Sequence, residues 1–87
     1  MERDRESRGS ISGACIAVLR EVAAAPSYGA RIARRMGLSR STVLVHLKRL
    51  GSERLVAREN PESPSPWKTY RATDRGRALL SLLREDR

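Results

Sequence analysis

The chain has no Phe, one Trp, two Tyr, one Cys and one His among its 87 residues. Each shortage excludes something. A single cysteine, Cys15, can form neither an intramolecular disulfide nor a thiolate cluster. It lies among Ala14, Ile16 and Ala17, where a thiol serves as a small apolar residue, and a redox role would require exposure. His46 has no nucleophile or metal-ligand partner at a diagnostic spacing, so it makes no catalytic arrangement. There is no phosphate-binding glycine loop and no dinucleotide fingerprint, and the carboxylates are scattered among arginines as expected for solvent-facing ion pairs. These absences predict a protein that is not an enzyme and uses no metal or cofactor. No apolar run approaches the length of a transmembrane helix and no signal-peptide core opens the chain, which predicts a cytoplasmic protein with no membrane partner.

The scarcity of aromatics also thins the core. The apolar fraction is 39%, and a chain of this size buries only about 60–70% of its unfolded surface. One small domain is expected, with association helping to complete it. What the chain has in excess is positive charge. Eighteen Lys and Arg oppose ten Asp and Glu, a formal net charge of +8. Most are Arg, whose planar fork suits phosphates and guanine edges. Such a surplus on a small domain favours a polyanionic partner. An Arg-rich but idle surface would carry the same charge, so the decision rests on what the charge is attached to.

Residues 1–9 are nearly all charged and read as a flexible tail, with Arg3, Arg5 and Arg8 available to a phosphate but more simply solvated. Ser10 can cap a first helix over residues 11–24, whose Ile11, Ala14, Cys15, Val18, Leu19 and Val22 recur at helical spacing. Pro26 ends it. A second helix follows over residues 28–36, with Ile32, Ala33 and Met36 inward and Arg31, Arg34 and Arg35 outward. Gly37 suits a left-handed C-cap, Leu38 plugs the corner, and Ser39 caps a third helix running to Leu50, where Gly51 stops it. On that helix Val43, Leu44, Leu47 and Leu50 share one side, with Ser41, Thr42, Val45, Lys48 and Arg49 opposite and His46 at the boundary.

Residues 55–59 and 67–72 read as two antiparallel strands around a proline-rich turn over residues 60–66. Val56 faces inward by alternation, with Tyr70 as a packing partner, and Trp67 staples the base of the hairpin or covers a partner surface. Thr73 caps a last helix through Leu83, in which Gly76 marks close packing. Three helices, a two-stranded wing and a C-terminal helix make an α+β winged helix-turn-helix. It divides into the tail (1–9), a DNA-binding domain (10–72) and a C-terminal dimerisation helix (73–87).

In that arrangement the outer side of the third helix faces the major groove of double-stranded DNA. Ser41, Thr42, Val45 and Arg49 are the candidate base readers: methyl groups meet thymine, and Arg49 pairs with guanine. Arg31 and Arg35, one helical turn apart, join Ser39, Arg40 and Lys48 as phosphate contacts. Arg58 and Lys68 lie toward the tip of the wing, which also carries Arg54 and Arg71, and suit a minor groove or its walls. Leu79, Leu80 and Leu83 offer a surface for a homodimer, or else complete the monomer's core. The competing reading is a winged-helix adaptor in which those leucines meet another protein, or an architectural DNA binder without regulatory sensing.

Several pieces of this chain resemble the PadR-like branch of winged-helix transcriptional regulators, near the MarR and ArsR groups. They are Pro26-Ser27-Tyr28-Gly29, the run from Gly37-Leu38-Ser39-Arg40 to Ser41-Thr42-Val43, Leu47-Lys48-Arg49-Leu50, and Lys68-Thr69-Tyr70-Arg71-Ala72-Thr73-Asp74-Arg75-Gly76. The resemblance implies a homodimeric repressor on a palindromic operator, with the third helix in the major groove and the wing beside it. By correspondence Ser41, Thr42, Val45 and Arg49 take the reader positions, and Arg58 and Lys68 those of the wing. Leu44 stands where that family commonly has a tyrosine. Members often carry a longer C-terminal helical region for dimerisation or effector sensing. Operator, regulated genes and effector are not legible in these residues.

Overall fold

In the computed structural model, which describes residues 12–62 and 68–85, Ser12 rather than Ser10 begins the first helix. Its Oγ accepts the Cys15 backbone N–H at 3.1 Å, satisfying one of the free amides of the first turn. Helix α1 (Gly13–Ala24) buries Cys15, Val18, Leu19 and Val22, while Ala14 is exposed. The charged tail, Ser10, Ile11, most of the proline-rich turn and Trp67 lie outside the described residues.

The chain after Pro26 does not enter a helix at once. It first runs extended as β1 (Ser27–Tyr28), which pairs antiparallel with β3 (Thr69–Ala72) through Ser27↔Tyr70 and Tyr28↔Thr69. A two-residue strand has no periodicity to betray it; only a partner some forty residues away defines it. Helix α2 (Gly29–Met36) then buries Ile32 and Ala33. It closes in a Schellman turn, with Leu38 N–H donating to the Ala33 carbonyl at 2.9 Å and Gly37 N–H to that of Arg34 at 3.4 Å. Gly37 takes φ +69°, as its position in the turn anticipates.

Helix α3 (Arg40–Ser52) passes straight through Gly51. The residue that breaks it is Arg54, at φ 62°, the non-glycine among the described residues with a positive φ. Arg54 N–H donates to the Gly51 carbonyl at 3.0 Å and Leu55 N–H to that of Leu50 at 2.9 Å, the same Schellman closure with arginine where glycine is usual. The position of the stop is therefore set by the pull of Leu55 and Val56 into the core, both of which are buried. Local preference for glycine does not decide it.

Strand β2 (Val56–Arg58) pairs with β3 in the register Val56↔Ala72, Ala57↔Arg71, Arg58↔Tyr70, giving a three-stranded antiparallel sheet of order β1-β3-β2. Val56 and Ala72 face inward together; Tyr70 lies opposite Arg58, not Val56. Thr73 ends the sheet and caps α4 (Asp74–Glu85): its Oγ1 accepts Gly76 N–H at 3.0 Å and donates to the Arg54 carbonyl at 2.7 Å. Leu19, Ile32, Leu47 and Leu50 are the largest fully enclosed side chains, and Leu79 and Leu80 of α4 lie partly buried against that cluster. The described residues form an α+β winged helix-turn-helix of four helices and a small antiparallel sheet. No described helix is long and apolar enough to cross a membrane.

Two backbone positions carry opposite expectations. A methyl group at Gly76 would collide with the Leu55 carbonyl oxygen and press on Leu19 Cδ1 at 3.2 Å. Gly76→Ala should therefore destabilise the fold by about 2 kcal/mol or more, despite the roughly 1 kcal/mol alanine gains in a helix. Arg54→Gly should stabilise it by about 1 kcal/mol by relieving the left-handed backbone. Urea denaturation of both variants measures each change, and the two midpoints should move in opposite directions.

Candidate nucleic-acid interface

The start of α3 is organised by hydroxyls. Ser39 Oγ accepts the Thr42 backbone N–H at 3.1 Å and donates to Thr42 Oγ1 at 2.8 Å, with Ser41 Oγ at 3.3 Å. All three residues are exposed, so the network fixes the Thr42 rotamer while leaving its methyl group open. One turn on, Val45 is 65% exposed. A single exposed apolar residue is ordinary on a protein surface, so Val45 counts here only for its place beside Ser41 and Thr42. Ser41, Thr42 and Val45 thus form one open flank, and Arg40 and Lys48 are exposed alongside it.

Arg49 completes that flank on a helical wheel but is held differently. It is half-buried, with Nε at 3.9 Å from the Glu53 carboxylate one turn further on. Its positive charge also acts on the Cys15 thiol of α1. Arg49 is therefore drawn toward the C-terminal end of α3, away from the opening where Thr42 and Val45 stand. Leu44, expected inward, is 40% exposed. Its Cδ2 comes within 3.1 Å of where a Cβ on Gly29 would be, so it covers the start of α2 instead of filling the centre.

On α2, Arg31 and Arg34 are exposed, and with Tyr28 and Arg35 they line an open groove. Arg35 is engaged: its Nε lies 3.3 Å from Glu21 of α1. The pair is half-exposed, so it is worth little to stability. Its effect is to orient Arg35, while Arg31 and Arg34 are exposed and in no ion pair among the described residues.

The wing redistributes its charge in a way that strand alternation explains. Because Val56 faces inward, Arg58 two residues on shares its face and stands opposite Tyr70. It is half-buried, with Nη2 at 3.5 Å from the Asn60 carbonyl. The outward cation of the hairpin is Arg71, opposite Ala57 and exposed. Arg71 had no assigned role in the sequence reading, although the parity that placed Val56 inside also places Arg71 outside. Lys68 is exposed and joins Arg40 across a narrow groove formed with Tyr28, Gly29, Leu44 and Tyr70. Thus β1, α2, α3 and the wing contribute to one seam, which no single sequence segment displays.

Behind this surface, Cys15 is buried and its Sγ–H donates to the His46 carbonyl at 3.7 Å. Burial pushes its thiol above the ordinary value of 9.0, outweighing the opposing effect of Arg49. Among the described residues no group of three or more His, Cys, Asp or Glu is placed to hold a metal ion. Of the leucines on α4, Leu79, Leu80 and Leu83 are half-buried and Leu82 is 64% exposed.

No protein-family model matches the chain, and no curated protein matches it by sequence. Among solved structures, "The crystal structure of the transcriptional regulator SlyA" is similar, with a TM-score of 0.76 and 21% identity. The likeness covers 91% of this chain and 56% of that one, so this chain spans little more than half the length of that regulator. At that identity the likeness establishes the fold alone: the described elements share the winged-helix architecture of that structure.

The thiol's surroundings give one expectation about pH. The folded state holds Cys15 neutral, so its contribution is complete below about pH 9 and is lost as pH rises past the value at which the unfolded thiol ionises. Denaturation between pH 8 and 10 should show wild-type stability falling more steeply than that of Cys15→Ala, by at most about 1.4 kcal/mol per pH unit. Equal slopes would mean that the thiol is open to solvent.

Proposed function

We propose that this chain is a sequence-specific regulator of transcription that binds double-stranded DNA, with α3 in the major groove and the wing beside it. One observation carries the reading. Neither α2 nor α3 contains a carboxylate, and on both helices the exposed residues are Arg, Lys, Ser and Thr with Leu44, Val45 and Gly51. A merely solvated helix pair would mix both signs of charge; a phosphate-facing one has to exclude the negative sign. Ser41, Thr42 and Val45 are the base-reading set, meeting thymine methyls and base edges. Arg49 joins them by exchanging Glu53 for a guanine edge. Arg31, Arg34, Arg40, Lys48 and Lys68 grip phosphates, and Ser39 presents the first amides of α3 to another. Arg35 braces α2, and Arg71 takes the outer wing role with Arg58 behind it.

The reading extends to a homodimer that represses from a palindromic operator in the manner of PadR-like regulators. Two-fold pairing would set two α3 helices one turn of DNA apart. Its seam centres on Leu82, the exposed large apolar residue of α4, flanked by Leu79 and Leu83. Leu80 is left to the core.

Duplex binding tests the first part. Affinity for a selected site should fall as salt rises, and Arg31→Ala should weaken all duplexes alike while lowering the salt slope by about 1. Thr42→Ala with Val45→Ala should instead reduce discrimination between selected and random duplexes about tenfold. Equal losses on both duplexes for both variants would remove the base-reading role from α3.

Sedimentation tests the second part. Leu82→Glu should yield a folded monomer with at least tenfold weaker binding to a two-half-site duplex and unchanged binding to a single half-site. A dimer that survives the substitution would move the seam off α4.

A further inference from the structure

Away from α2, α3 and the wing, three guanidinium groups converge where α1 and α4 run side by side. Arg20 of α1 and Arg77 and Arg84 of α4 rim a groove of about 350 Å³ whose floor is Ala23, Ala24 and Leu80. The helical spacing explains how it arises. Arg20, Ala23 and Ala24 form one stripe of α1, and Arg77, Leu80 and Arg84 form one stripe of α4, each following the three-and-four rule. The three arginines are exposed, and among the described residues none of them is in an ion pair. Arg77 makes one long contact, its Nη1 donating to the Ala23 carbonyl at 3.5 Å. Like charges gathered on one groove repel one another, and an anion seated between them relieves that repulsion.

We infer that this groove docks an acidic, amphipathic segment of a partner protein. Arg77 and Arg84 are two helical turns apart, a span of about 10 Å, which exceeds the reach of one small carboxylate. A chain bearing carboxylates on successive turns matches that span. The apolar floor selects further: a helix with leucines between its acidic residues can cover Ala23, Ala24 and Leu80, whereas a sugar-phosphate backbone has nothing apolar to place there. The groove lies on the opposite flank of α4 from Leu82, and none of its residues belongs to the proposed reading surface. Partner and DNA can therefore be held together.

The test uses the full chain and a short fluorescein-labelled peptide with Glu and Leu at helical spacing, beside a scrambled isomer of equal charge. Wild-type protein should bind the ordered peptide at least tenfold more tightly than the scrambled one, a difference of about 1.4 kcal/mol. Arg20→Glu with Arg84→Glu should abolish that preference, leave the thermal midpoint and duplex affinity unchanged, and leave the sedimentation coefficient as in wild type. A saturating duplex should not displace the peptide. Equal binding of both peptides, retention of binding by the double variant, or displacement by duplex would each overturn the assignment. A shift in oligomeric state on substitution would show instead that a second copy of this chain fills the groove. Binding of a second duplex that the same substitution removes would give it to nucleic acid.

Discussion

The placement of the wing and the last helix on α3 centres on a single backbone carbonyl, that of Leu55. It accepts the Thr73 N–H at 3.0 Å and lies against Gly76, where any side chain would strike it. Leu55 itself is drawn into the core immediately after α3 ends. The end of α3, the base of the hairpin and the first turn of α4 therefore meet within one residue's reach. Thr73 reinforces the junction by donating to the Arg54 carbonyl and capping α4, and Arg75 Nε donates to the Glu53 carbonyl at 3.0 Å. A small domain with few aromatics has little core to define such angles by packing, so hydrogen bonds at a close approach take over the task.

That junction also explains an otherwise expensive feature, a non-glycine residue in the left-handed region. Arg54 holds φ 62° because the residues on both sides leave no alternative: α3 must stop before Leu55, and Leu55 must turn inward. Gly51 would have been the cheaper place to turn. Stopping there would shorten α3 before Ser52, whose Oγ donates to the Arg49 carbonyl at 2.8 Å, and before Glu53, which holds Arg49. The strain thus lies next to the segment that helps determine where Arg49 points. Backbone cost and side-chain placement are linked by four residues.

Much of the architecture was legible because local chemistry and tertiary structure agree. Gly37, Ser39 and Thr73 behave as their positions dictate, since each answers a free amide or a positive φ within its own neighbourhood. The failures have a common cause: the deciding partner is distant in sequence. Strand β1 exists only because β3 passes beside it. Leu44 is turned outward by its position over Gly29, not by its own hydrophobicity. The side of the hairpin on which Arg58 and Arg71 stand follows from strand parity once Val56 is inside, whereas distance from the tip says nothing about it. The convergence of Arg40 and Lys68 on one groove joins two elements that no spacing rule relates.

Charge ties these structural features together. A net +8 spread evenly over so small a body would only raise repulsion and solubility. Instead the negative residues are used locally: Glu21 holds Arg35, and Glu53 holds Arg49, each fixing an arginine at the margin of the surface while the centre keeps none. Ion pairs this exposed contribute little to stability, so their value lies in direction. They hold two cations in place and leave Arg31, Arg34, Arg40, Lys48, Lys68 and Arg71 exposed on α2, α3 and the wing. Because salt screens exposed charges beyond about 8–10 Å, these cations act on a polyanion only at close range. In the proposed DNA-binding role, contact would therefore precede most of the attraction, and the apolar groups beside these cations would decide which contact persists.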